Sequence, residues 1–214
     1  MNAMIQLLVL AAIALFLVFK LRSVLGTREG FEKPATDKPK QKPSFEVIEG
    51  GPDSDILDHV SEGSAAALAL AKIKGAEPDF VLTPFLQGAR SAYEMILMAF
   101  ENGDVEPIKS FLAEDVYESF SQAVVARKAQ GLTVNTSFMG IRELAVQEAV
   151  FHPTNKEAEI SVRFVSELKS FVRNAAGDIV EGSESEIKRQ RDVWTFARIT
   201  GAQDPNWRLV ATGD

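Results

Sequence analysis

The sequence predicts an α+β protein: N-terminal helices packed on a curved antiparallel sheet, preceded by one transmembrane helix and a flexible linker. Three observations carry this reading. Residues 3–19 are apolar and uncharged. Apolar side chains then recur at steps of three and four between residues 83 and 130. After Gly131 the period becomes two. Helices followed by consecutive strands are the pattern of α+β folds.

The first run reads AMIQLLVLAAIALFLVF, with Gln6 as its strongly polar residue. A helix over residues 3–19 rises about 26 Å, and its flanks bring it close to a hydrocarbon core of about 30 Å. A span over residues 1–22 would present Leu7, Leu8, Leu15 and Phe16 as anchoring side chains. The alternatives are a buried helix and a cleaved signal peptide, the latter carrying positive charge ahead of its apolar run and small residues after it. Here Lys20, Arg22 and Arg28 follow the run, and no A-x-A site succeeds it. The basic flank directs the bulk of the chain to the cytoplasm and the N-terminus outside, across a bacterial inner membrane.

Residues 23–53 read as a linker. Pro34, Pro39, Pro43 and Pro52, with Gly50 and Gly51, leave too little apolar surface to fold alone. Its lysines either touch anionic headgroups, at about 1 kcal/mol each, or coat a solvated spacer. Residues 54–78 read as an amphipathic helical arm, with Asp53 or Ser54 as cap and breaks at Gly63 and Gly75. The arm either packs on its own domain or lies on a membrane or partner.

Residues 79–214 form the main domain. Thr83 as cap and Pro84 in the first turn open its strongest helix. Phe85, Ala89, Ala92, Ile96 and Ala99 stripe that helix, and Asn102-Gly103-Asp104 ends it. A second helical region covers residues 105–130, striped by Leu112, Val116, Phe120 and Val124. Strands follow: one holding Leu144, Val146 and Val150, one over residues 158–164 that continues through Phe171 and Val172, one over 187–199 and one over 207–212.

Composition narrows the chemistry. The net charge of −7 and a pI near 5.0 argue against nucleic acid. With no cysteine, disulfides, thiol catalysis and thiolate zinc sites are excluded. His59 and His152 stand outside any motif, and no Walker loop, nucleophile elbow or dinucleotide fingerprint is present. No catalytic residue, cofactor or metal site is expected. Arg163, Glu167, Glu186, Lys188, Arg189, Arg191 and Asp192 read as a solvated sheet face with cross-strand pairs. Asp192 and Arg198 read as a candidate buried pair fixing strand register. Tyr93 and Tyr117 have no evident acid partner, which weakens any acid–base reading. Phe85, Tyr93, Phe120, Trp194, Phe196 and Trp207 are candidate lining of a pocket between sheet and helices, with plain core packing as the competing reading.

A resemblance sharpens this. Phe85-Leu86-Gln87-Gly88-Ala89-Arg90-Ser91-Ala92-Tyr93-Glu94, then Ala99-Phe100-Glu101-Asn102-Gly103-Asp104, resembles the opening of the Tim44-like domain. Phe120, Arg127 and Gly131 fit its second helix. Asp192-Val193-Trp194-Thr195-Phe196-Ala197-Arg198 and Asp204-Pro205-Asn206-Trp207-Arg208-Leu209-Val210-Ala211-Thr212 are its most specific part. The resemblance spans about residues 79–212. It implies a fold like nuclear transport factor two and ketosteroid isomerase (cystatin-like in class), with a large apolar pocket. It implies a membrane-anchored, non-enzymatic adaptor in protein translocation, membrane-protein assembly or quality control. Implied partners are a translocase, insertase, chaperone or protease, together with membrane lipid, anionic lipid included, reached through about residues 56–80. The alternative function is a lipid- or hydrophobic-ligand-binding domain at the inner membrane. The long chaperone-binding N-terminal region of mitochondrial members is not expected here. The Asp-Pro-Asn-Trp run reads as a turn and packed edge.

Overall fold

The computed structural model of the chain describes residues 53–213. The anchor residues Leu7, Leu8, Leu15 and Phe16, and all of the linker but Asp53, lie outside the described residues. Among the described residues, no helix is long and apolar enough to cross a membrane.

The arm at residues 54–78 forms two helices, α1 (Ser54–Leu57) and α2 (Ala65–Ala76), each with its own cap. The Asp53 side chain accepts from Asp55 N–H at 3.0 Å, and Ser64 Oγ accepts from Ala67 N–H at 3.1 Å. Gly63, at φ +72°, turns the chain between them. Ile56, Ala67, Leu70 and Ile73 are buried in the main core, so this segment packs on its own domain.

The next helix, α3, spans Leu82–Asn102. Thr83 is not its cap. Val81 holds the extended N-cap position, and Thr83 already lies inside the helix. The capping oxygens come from α1 instead. Asp55 accepts from Leu82 N–H at 2.6 Å and from Thr83 N–H at 3.1 Å. Burial pushes the Asp55 carboxyl up, but hydrogen bonds from the Thr83 hydroxyl and these two N–H groups outweigh it. They hold the group below the usual carboxylate range. The buried stripe of α3 is Leu82, Phe85, Leu86, Ala89, Tyr93, Ile96 and Leu97. Gly103, at φ +71°, stops it in the left-handed conformation.

The second helical region divides in two. A 3-10 turn over Glu106–Phe111 precedes α4 (Glu114–Ala129). Leu112 and Ala113 are extended between them, because Ala113 N–H donates to Leu209 O at 2.9 Å and Leu112 bridges to Leu209. A tertiary backbone bond breaks a helix that periodicity would have continued. At its far end α4 closes α3: Arg127 Nη2 donates to Phe100 O at 2.7 Å and Glu101 O at 3.1 Å, and Lys128 Nζ to Gly103 O at 2.9 Å. Cations at these terminal carbonyls complement the negative end of the helix dipole.

Among the described residues, five strands follow: β1 (Thr133–His152), β2 (Glu157–Arg173), β3 (Ile179–Gly182), β4 (Lys188–Ile199) and β5 (Arg208–Gly213). The sheet order is β1-β2-β4-β5, with β3 on β2, and every strand pairing is antiparallel. Three register shifts between β1 and β2 bend the sheet. β1 begins eleven residues before Leu144, the first residue that alternation marks. β3 is a strand that the sequence reading did not anticipate. Ala158, Ile160, Val162, Phe164 and Leu168 of β2 are buried toward the helices. Burying each large one contributes about 1.5–3 kcal/mol.

Candidate functional site: an aromatic recess beside α3

The six aromatic residues singled out in the sequence separate into three settings. Phe85, Phe196 and Trp207 line one recess with Pro84, Gly88, Ala89, Ala92, Phe111, Pro205 and Asn206. Its volume is about 280 Å³. Tyr93 and Trp194 instead stack into the core around Phe164, with ring centroids 4.3 Å (Tyr93–Phe164) and 4.6 Å (Tyr93–Trp194) apart. Phe120 packs half-buried on Phe100 at 4.7 Å.

The recess follows from local chain geometry. Pro84, Gly88 and Ala92 recur at steps of four, so one flank of α3 is small. Opposite it, the loop before β5 is tied down at Asp204. Its backbone carbonyl accepts from Arg198 Nε at 3.1 Å, and its carboxylate accepts from Asn206 N–H at 3.0 Å. The Asn206 N–H, the foremost of its donors, holds the Asp204 carboxyl below the usual range. The fixed loop lays Trp207 across Phe85 at 4.7 Å and Phe80 at 5.9 Å. The Asp-Pro-Asn-Trp run is thus both a turn and one wall of the recess. Gly88 forms part of the opposite wall, and a Cβ there would meet nothing within 4 Å. Only Phe85, Phe196 and Trp207 of this lining are among the six candidates; the four-residue spacing of Pro84, Gly88 and Ala92 on α3 is the signal in the sequence that marks the other wall.

Two polar networks also differ from expectation. Asp192 and Arg198 do not pair. Six residues of strand separate them by about 20 Å, and the even positions of β4 share one face, so neither reaches the other. Asp192 Oδ2 accepts from Tyr93 Oη at 2.5 Å, and Tyr93 Oη also meets Ser166 Oγ at 2.9 Å. Gln190 Nε2 donates to both Asp192 oxygens at 3.1 Å. Arg198 Nη1 donates to Glu77 Oε1 at 2.6 Å, linking the end of α2 to β4. Tyr117 likewise has an acid partner, donating to Glu106 Oε2 at 2.5 Å. A phenol–carboxylate pair therefore exists at Tyr93, but Tyr93 is fully buried and neither member lines the aromatic recess. On the opposite sheet face, Glu167 makes the expected cross-strand pairs with Arg142 at 2.7 Å and Arg189 at 3.3 Å but is only 14% exposed, and Asp192, expected on the same face, turns inward to Tyr93 instead. The Arg142 guanidinium holds the Glu167 carboxyl below its usual range. Among the described residues, no cluster of side chains could hold a metal ion.

Helices laid against a curved antiparallel sheet, with an apolar recess between them, define a single α+β domain class. The chain belongs to the Tim44-like domain family, whose model it matches over residues 66–214. That match begins inside α2 and leaves α1 outside it. The chain is similar to human mitochondrial import inner membrane translocase subunit TIM44, 24% identical over 160 residues, covering 73% of this chain and 35% of the relative. It is similar to subunit TIM44-1 of Arabidopsis thaliana, 23% identical over 161 residues, covering 72% of this chain and 34% of the relative. The chain thus spans about a third of the length of these curated relatives. Among solved structures, the intermembrane-space region of the chloroplast protein ARC6 aligns at a TM-score of 0.42 and 10% identity, over 60% of this chain and 94% of that one. A likeness of that depth carries no functional argument.

Proposed function

We propose that this chain is a non-enzymatic adaptor of a protein-translocation or membrane-protein-assembly machinery, held in a bacterial cytoplasmic membrane by residues 1–22 with its Tim44-like domain in the cytoplasm. The observation that carries this reading is the family match over residues 66–214, taken with relatives that are named as translocase subunits. The order of charge supports the orientation, since Lys20, Arg22 and Arg28 follow the apolar run. The burial of Tyr93 away from the recess and the apolar lining of the recess favour binding over catalysis. The partners in this reading are a translocase, insertase, chaperone or protease.

The chain contains no cysteine, so introduced thiols report position cleanly. In intact cells a membrane-impermeant maleimide should label Asn2→Cys, while Thr154→Cys, in the β1–β2 turn, should react only after lysis. The reverse pattern, or recovery of the chain in the soluble fraction, would defeat the anchored arrangement. In-cell cross-linking from the domain should then trap one of the partner classes named above. Background protein alone would sink the adaptor role.

A second reading is favoured by the recess itself: it holds the acyl chain of a membrane lipid, an anionic one included. Gly88→Leu should fill the space while gaining helix propensity of just under 1 kcal/mol. Lipid that co-purifies with the native chain, seen by native mass spectrometry, should disappear in this variant without loss of stability. Equal lipid in both proteins would end the lipid reading.

A further inference from the structure

β4 is paired with β2 along its whole length, but β5 covers its other edge only from Val193 to Ala197. Beyond that point the edge is bare. β3 pairs only with β2, and among the described residues no strand lies against the outer side of residues 179–182 or 188–192. A bare edge presents backbone donors and acceptors to any extended chain. This one also carries exposed aliphatic side chains: Ile179, Val180 and Ile187, at 42%, 54% and 51%. Gly182 fixes its position. At φ +76° it lies against β2 so closely that a Cβ would meet Ser170 O at 2.2 Å.

The charges along this edge are ordered. Asp178, Glu181, Glu184 and Glu186 come first, then Lys188, Arg189 and Arg191, while Asp192 at the end is engaged by Tyr93 and Gln190. Glu184 pairs with Arg173, and Arg189 with Glu167. Among the described residues, Glu181, Glu186, Lys188 and Arg191 have no opposite charge within 4 Å. An acidic half followed by a basic half is complementary to itself in the antiparallel sense. We propose that the edge formed by residues 179–192 is a two-fold contact with a second copy of this chain. A two-fold axis near Glu186 sets Glu181 of each copy beside Arg191 of the other and Glu184 beside Lys188, with the two Glu186 side chains near each other at the axis. Ile187 of each copy lies beside the axis, residues 183–187 bend between the two extended stretches, and residues 179–182 of each copy run along residues 190–193 of the other. Such isologous contacts are the commonest route to a dimer. Opposite charges directly across two strands favour the register, and like charges oppose it. The contact is independent of the adaptor and lipid readings.

The full chain in neutral detergent should sediment as a monomer–dimer equilibrium. Glu181→Lys and Arg191→Glu, both at exposed positions, should each weaken dimerisation at least tenfold. Mixing the two variants should restore it, because both contacts between positions 181 and 191 in the mixed dimer then join opposite charges. In native membranes, Ser185→Cys should form a disulfide-linked dimer and Thr154→Cys should not. Three results would overturn the proposal: a dimer indifferent to both charge reversals, a mixture that stays as weak as its components, or a monomer at every concentration with no Ser185→Cys cross-link. Far-ultraviolet circular dichroism checks that each variant is folded.

Discussion

Glu77→Ala should lower the stability of the domain by roughly 3 kcal/mol. The carboxylate meets Arg198 at 2.6 Å, and the two side chains are only 20% and 13% exposed. Removing the acid leaves a guanidinium nearly out of water, with the Asp204 carbonyl as its remaining partner in this network. An uncompensated buried charge costs far more than the intact pair contributes. The double variant Glu77→Leu/Arg198→Met should therefore be more stable than Glu77→Ala, despite carrying more changes. Denaturant melts of the three proteins measure this directly. A loss below about 1 kcal/mol would mean that water reaches Arg198, and the argument would fail. The pair also fastens α2. Hydrogen exchange at Leu70 and Ile73, buried in the native chain, should quicken in Glu77→Ala by more than exchange in the middle of β2. That difference gives the cost of lifting the arm from the domain, which any membrane contact through its apolar stripe would require.

Legibility in the sequence tracked the range of the contacts involved. α3 was plain because seven buried residues on one helix repeat a local period. β2 and β4 were plain for the same reason, alternating over many residues. The first half of β1 was hidden: Thr133, Asn135 and Ser137 alternate with half-buried residues, but Thr136 stands among the latter and blunts the contrast. β3 was hidden because all four of its residues are exposed, so it has no buried face to mark it. Its place is set by Gly182 against the β2 backbone. The caps and pairs were illegible for a different reason. Asp55 caps a helix that starts 27 residues later, and Glu77 finds Arg198 across 121 residues. Residue type announced that such groups need partners, while only the fold could supply them. The recess lay between these cases. Its aromatic residues were visible, yet aromatic residues bound for the core look the same in sequence. What separates Trp207 from Trp194 is the tethered loop at Asp204, a tertiary feature.

The Tyr93–Asp192 pair should be worth about 2–3 kcal/mol when broken from the acid side, and it should also shape the alkaline limit of stability. Asp192→Ala removes a hydrogen bond to a carboxylate from a phenol that water cannot reach, leaving Ser166 as partner. Tyr93→Phe should cost less, since the Asp192 oxygens keep Gln190 and are only partly buried. The pH dependence follows from the phenol. Burial pushes the Tyr93 phenol well above its ordinary value of 10.0, and the bond to Asp192 pushes it further. The folded chain therefore holds this proton more tightly than the unfolded chain does. Its contribution is complete below the unfolded value and is lost as pH rises through 10 toward the folded value. Each pH unit in that window removes at most about 1.4 kcal/mol for one group. Comparison with Tyr93→Phe isolates this contribution from lysines that titrate in the same range. Free energies from urea melts between pH 8 and 11 should fall more steeply for the native chain, so that the gap to Tyr93→Phe narrows as pH rises. Parallel curves would mean that the phenol is free to ionise in the folded state, with Tyr93 open to solvent. In that case an enzymatic reading would have to be taken up at Tyr93 and Asp192.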